Sequence, residues 1–356
     1  MKTILVHIGM HKTGSSSVQR SLVGYDDGRV RYADLSNENH SVPVNTIFAE
    51  NRYEKRYFRQ RGITRAQVDE MAARFRKRLA KEIKLDRDVL ILSGEDISRI
   101  PLAGVQDMHD MLAPECDRVL ILGYARDPIS FASSSFQQLV KFDCKEVMVP
   151  QPDYRRRFKK FLDVFGKDNV VIKEFRRDLL YRNSVVRDVM EAAGIGDVDW
   201  PETVINESLS DPAMRVLFHF NRNGPLSTGS KRIIEIRKRF VDLVSRKFKG
   251  ASFRLPDAAF TARTVDVSDV TWLAKATGVD FTQSLPALTE TELPDLELEA
   301  DLERLRDDEV ALLTTMMARR KIKHGDAATP TDLLTLLFYD ELARAWSPKK
   351  RRKSKA

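Results

Sequence analysis

Apolar residues along this chain come in short runs, separated by longer stretches of helical period. The first run, TILVHI at residues 3–8, is β-branched and gives way at once to glycine and polar residues. That is the pattern of a strand buried on both faces in a parallel sheet. DVLILSGED (88–96), DRVLILGYARDP (117–128, stopped by Pro128) and NVVIKEF (169–175) repeat it. Between them the period becomes helical: Ser15 to Leu22, stopped near Gly24; 64–83, with Thr64 as N-cap and Met71, Phe75 and Leu79 on one face; then VQDMHDML, SFASSSFQQLVK, YRRRFKKFLDVFG, and NSVVRDVMEAAGI ending at Gly194. Residues 26–60 read as polar and irregular, with Tyr53, Tyr57 and Phe58 as core or ring-stacking candidates. After Trp200 the pattern is helical throughout, over 211–222, 229–248, 267–277, 295–320 and 330–346. Strand alternating with helix predicts an α/β fold, a parallel sheet with helices on both faces. The expected organisation is one domain over 1–347, its helical C-terminal third (about 205–347) serving as cover, and a basic disordered tail over 348–356.

Composition changes this picture little. With 356 residues, 42% hydrophobic and 31% charged, the chain can bury a substantial core. No apolar run reaches membrane-spanning length, and the N-terminus lacks the pattern of a secretory signal. Two cysteines, Cys116 and Cys144, make no disulfide framework and fit a reducing cytoplasm. Of the net charge of +8, six positive charges lie in Lys349–Lys355, which leaves about +2 for the rest. A terminal basic run is a solvated tail, or else an electrostatic tether to an anionic membrane surface. It is the one feature that speaks for nucleic acid, and a nucleic-acid partner is not expected.

The chemistry is concentrated in HIGMHKTGSSS, residues 7–17. Gly9 and Gly14 have the spacing of a phosphate-binding P-loop, G-x-x-x-x-G-K-[ST]. Ser15, however, stands where the lysine belongs, and the lysine sits two residues before the second glycine, at Lys12. A strand precedes the loop and a helix follows it, so the context is that of a P-loop-like fold. The loop still offers backbone amides and a helix N-terminus to an anion. Ser15 cannot supply the cation that a triphosphate enzyme places there, and no strand ends in a metal-binding acid in the expected way. The pattern asks for a nucleotide with a short 5′ anionic chain and no metal. In sheets of this class ligands bind beyond the carboxyl ends of the strands. Glu95 and Arg126 stand at two more of those ends.

HIGMHKTGSSSVQ resembles the 5′-phosphosulfate loop of sulfotransferases that use 3′-phosphoadenosine-5′-phosphosulfate (PAPS). Their second signature is an Arg at a strand end, a Pro soon after, and a Ser eight residues beyond the Arg. RDPISFASSSF supplies Arg126, Pro128 and Ser134 at that spacing. SGED and NESLS (206–210) are similar to segments of the bacterial, carbohydrate-type branch. RNGPLSTGSKR (222–232) is only a loose echo of the glycine-rich adenosine-contacting segment of cytosolic small-molecule sulfotransferases.

The resemblance implies a PAPS-dependent enzyme that sulfonates a glycan, glycolipid or polysaccharide and releases 3′-phosphoadenosine-5′-phosphate (PAP), without a metal. Lys12 would bridge the leaving oxygen and the sulfonate. His11, Lys12, Thr13, Gly14, Ser15, Ser16 and Ser17 would line the 5′ group, and Arg126 and Ser134 the 3′-phosphate. Glu95 is the candidate base, with Asp96 its rival and His40 a further possibility; His7 reads as core. The alternatives are a P-loop kinase with a degenerate loop, and a nucleotide-binding protein without catalysis. The sequence leaves the acceptor and the oligomeric state open.

Overall fold

The computed structural model describes residues 1–59, 61–196, 198–203, 208–225, 231–256, 260, 265–285 and 295–346. The chain runs through β1 (Thr3–His7), α1 (Ser15–Leu22), β2 (Val30–Tyr32), α2 (Ser41–Phe48), α3 (Arg56–Arg59) and α4 (Arg65–Ile83). It continues with β3 (Val89–Ser93), α5 (Leu102–Leu112), β4 (Arg118–Ala125), α6 (Pro128–Lys141), α7 (Tyr154–Phe165), β5 (Val170–Glu174) and α8 (Val185–Ala192). Helices follow: α9 (Asp211–Asn223), α10 (Lys231–Lys247), α11 (Val267–Thr277), α12 (Asp295–Glu303), α13 (Asp307–Arg320) and α14 (Pro330–Trp346). Among the described residues no helix is long and apolar enough to cross a membrane.

The strands form one five-stranded parallel sheet in the order β2-β3-β1-β4-β5. All carboxyl ends therefore lie along one edge, with β1 in the middle; His7 stands beside Ser93 of β3 and Leu122 of β4. Leu5, Ile91, Leu122 and Tyr124 face α1 and α8 and close a core with Val18, Leu22, Val189 and Met190. Burying each such side chain contributes about 1.5–3 kcal/mol, which makes this face the anchor for α1. Alternation turns Gly123 to the other face. There α7 packs on β4 and β5, with Phe158 and Phe161 fully buried and Phe158 against Gly123.

Four expected strands and most expected helices form, and Thr64 caps α4 in a capping box with Gln67. Two expectations are corrected. Residues 26–60 hold a strand and helices rather than irregular chain. β2 is three residues long, too short to show a period, and buries Val30 and Tyr32 on either side of Arg31. Arg31 pairs outward with Asp26 at 2.7 Å and Glu82 at 2.8 Å. α2 carries Pro43 in its first turn, where a missing N–H breaks no helical bond. The second correction concerns 295–320, which is two helices. Arg306 starts the second, and Glu309 reaches back to its amide at 2.9 Å.

The chain clusters into two compact units. The first comprises Met1–Ala132, Gln151–Glu207 and Ala262–Thr289 and contains the sheet. The second comprises Ser133–Pro150, Ser208–Thr261 and Glu290–Ala356 and is helical in its described residues. Within it Phe220, Phe240 and Phe338 form an aromatic centre, with ring centroids 4.7–5.5 Å apart. Arg215 and Glu309 form a buried pair there at 2.6 Å. The expected tail, 348–356, lies outside the described residues.

Candidate functional site

The loop after β1 is held open over the sheet edge by main-chain bonds to β4. Ile8 N donates to Leu122 O (2.9 Å), Met10 N to Tyr124 O (3.1 Å) and Tyr124 N to Gly9 O (2.6 Å). Three residues then take positive φ: Gly9 (78°), Lys12 (66°) and Gly14 (76°). Gly14 caps α1, whose first bonds run from Ser17 N and Val18 N back to Gly14 O. Among the described residues, the amides of Thr13, Gly14, Ser15 and Ser16 meet no acceptor. These are the donors that an anion at a helix N-terminus uses. The hydroxyls of Thr13 and Ser15 instead donate to Met10 O, at 2.6 and 3.4 Å. They close the loop on itself, while Ser16 is half-exposed.

Lys12 occupies the left-handed region at the crest, a conformation costing a non-glycine residue about 1–2 kcal/mol. Arg126, at the end of β4, steadies it by donating from Nη1 to Lys12 O at 2.6 Å. The remaining guanidinium nitrogens of Arg126 meet no acceptor among the described residues. Its guanidinium lies 5.8 Å from the Phe175 ring centroid, and burial pushes its pKa down. The Tyr154 hydroxyl donates to the Arg126 carbonyl. Ser134 is half-buried on α6, in the second unit.

Glu95 opens a short 3-10 turn, Glu95–Arg99, directly after β3. Gln19, buried on α1, donates to its Oε2 at 2.9 Å. Asn39 donates to both carboxylate oxygens, at 3.2 and 3.3 Å. Two side-chain amides from two elements thus hold one carboxylate against the loop. Asp96 is differently placed, on His11 Nε2 at 3.2 Å and Arg99 at 3.8 Å. Burial pushes its carboxyl up, but the hydrogen bond from His11, with the charges of Arg99 and Lys55, holds it down at about 2.

The structure therefore brings Lys12, Glu95 and Arg126 to one edge of the sheet. His7 is wholly buried, 2.8 Å from Ser93 Oγ, and burial lowers its pKa to about 4. His40 is buried too, accepting from Ser93 N at 3.0 Å and stacked on Tyr32. Burial lowers it to about 4 as well, and it belongs to the core rather than to a lid. Phe58 is buried, while Tyr53 and Tyr57 stay half-exposed. Asn206, Glu207 and 226–230 lie outside the described residues.

Sequence reasoning missed Gln19, Asn39 and Arg157. Arg157 sits on the buried stripe of α7 with Tyr154, Phe158, Phe161 and Phe165. An arginine in an apolar row at helical spacing was a readable signal. It donates from Nη1 to His11 Nδ1 at 3.3 Å, which leaves the His11 Nε2 hydrogen for Asp96.

No family model and no curated protein matches the chain. Among solved structures, it is similar to a sulfotransferase from Alicyclobacillus acidocaldarius, at 18% sequence identity and a TM-score of 0.38, over 61% of this chain and 91% of that one.

Proposed function

We propose that this chain is a sulfotransferase. In this reading it moves a sulfonate group from PAPS to a hydroxyl, or an amine, of a glycan, glycolipid or polysaccharide by in-line transfer without a metal. The observation that carries the reading is one loop that has Lys12 at its crest, its carbonyl bonded by Arg126, amides of Thr13 to Ser16 that meet no acceptor among the described residues, and Gly9 packed against Glu95. The amides of Thr13 to Ser16 suit the 5′-phosphate, and Arg126 suits the 3′-phosphate. Ser134 is proposed to join Arg126, and His11, Lys12 and Ser17 to line the 5′ side. Transfer places growing charge on the leaving oxygen, where the Lys12 ammonium lowers the barrier. Glu95, as base, takes the acceptor proton. PAP leaves as product.

Calorimetric titration with PAP, with and without Mg²⁺ and with ATP for comparison, tests the donor. Metal-independent binding of PAP, much tighter than that of ATP, supports the reading. A Mg²⁺-dependent preference for ATP would replace it with a P-loop kinase. PAP binding without any turnover over a panel of acceptors would leave a nucleotide-binding protein.

A further inference from the structure

Arg157 is 2% exposed, yet no carboxylate lies within ion-pair distance among the described residues. Its Nε donates to Pro152 O at 2.6 Å, and its Nη1 to Ser98 Oγ at 3.1 Å and to His11. Nη2 is buried and meets no partner among the described residues. Lys160, one turn further along α7, donates only to main-chain oxygens, Ser98 O at 2.7 Å and Arg156 O at 2.6 Å. Arginine and lysine are rarely buried without a counter-charge, because an uncompensated buried charge is costly. Here cations crowd together: Arg99 acts on Arg157, and Arg157 and Arg156 act on Lys160. Two carboxylates, Asp153 and Asp96, act on Arg157 from beyond ion-pair distance, and Asp96 is already engaged by His11 and Arg99. His11 and Asp96 are partly exposed and Lys160 is half-buried, so the cluster opens to the surface beside buried Arg157.

We propose that Arg157 and Lys160 form the floor of an oxyanion subsite that takes a carboxylate or sulfate ester carried by the acceptor. This rests on the sulfotransferase reading. Under it, the donor's two anionic groups fall to the loop amides, Lys12 and Arg126. Arg157 reaches the loop only through His11, from the face of the sheet opposite α1, which suits a second substrate. A planar guanidinium with a spare N–H matches the two-oxygen edge of either group.

The test is titration of inorganic sulfate and, separately, acetate into the protein saturated with PAP. Wild type is expected to bind at least one of them. R157Q should weaken that binding about tenfold or more, and K160Q several-fold, with PAP affinity unchanged within about twofold. Tighter sulfate points to a sulfate ester and tighter acetate to a carboxylate; either supports the subsite. R157K, which keeps the charge but loses the planar fork, stands in if R157Q fails to fold and should weaken anion binding several-fold. Anion affinity equal in all variants, no anion binding, or loss of PAP affinity instead would overturn the proposal. Failure of wild type to bind PAP at all is a separate readout, and it removes the sulfotransferase reading first.

Discussion

Gly9 and Glu95 approach so closely that a side chain on Gly9 has no room. A Cβ there would lie 2.8 Å from Glu95 Cα and 2.9 Å from its Cβ. Gly9 also holds φ +78°, where alanine is strained by about 1–2 kcal/mol. The contact ties the anion loop to the base candidate through main chain, which cannot swing aside. Gly9→Ala should lower unfolding free energy by about 2 kcal/mol or more. It should also cut turnover more than tenfold in the protein that still folds. Chemical denaturation and steady-state assay read the two effects; an alanine variant with unchanged turnover would show that the Gly9–Glu95 approach does not matter to the site.

Glu95→Gln keeps the shape but removes the carboxylate proposed as proton acceptor, and it faces Gln19 and Asn39, which already donate. Turnover should fall about 10²–10⁴-fold, with PAP affinity little changed. Asp96→Asn should cost much less, because Asp96 is committed to His11 and Arg99. The reverse ranking in a sulfonate-transfer assay would make Asp96 the base.

In the proposed reaction Lys12 acts on charge that exists mainly in the transition state. Lys12→Ala should therefore lower kcat about 10²–10³-fold while PAP affinity stays within a few-fold. A loss confined to binding would recast Lys12 as a simple phosphate contact.

The strands, the loop and most of the helices were legible because burial on both faces and helical period leave strong marks. HIGMHKTGSSS could be placed on a strand-to-helix turn for the same reason. The edge strand around Arg31 was not legible: three residues carry no period, and their pairing with Val89–Ile91 is non-local. Gln19 and Asn39 were missed because their role depends on three separate segments meeting at Glu95. The resemblance places Thr13 and Ser15 along the 5′ group without saying where their hydroxyls go. That they bond Met10 O follows from loop curvature, which composition does not show.

Arg126 has two duties in this geometry. It steadies the loop through Lys12 O, and its remaining guanidinium nitrogens, unengaged among the described residues, are the proposed donors to a phosphate. Arg126→Ala should weaken PAP about 10–100-fold, as expected for losing a charged hydrogen bond. Adenosine 5′-phosphate, which lacks the 3′-phosphate, should lose only a few-fold, the share owed to loop support. Equal losses for the two nucleotides would mean that Arg126 supports the loop and reads nothing.

Two buried histidines set a pH dependence of stability that is independent of any activity. His7 and His40 are both lowered from 6.5 to about 4, in each case by burial. Between those values the unfolded chain binds a proton at each position and the folded chain does not. Stability from this source is thus fully present above pH 6.5 and is lost as pH falls toward 4. Each histidine contributes about 1.4 kcal/mol per pH unit over that window. Carboxyls held low, such as Asp96, act with the same sign but below the ordinary carboxylate range, while the Asp269 carboxyl, raised by burial, acts with the opposite sign just above it, so the histidines are read from the upper part of the window. Urea midpoints measured across it should fall steadily with acid in wild type. His7→Gln and His40→Gln should each be less stable at pH 7, where a hydrogen bond or packing is lost, but each should lose about half of the acid slope. A slope that persists unchanged in both variants would place the titrating groups elsewhere.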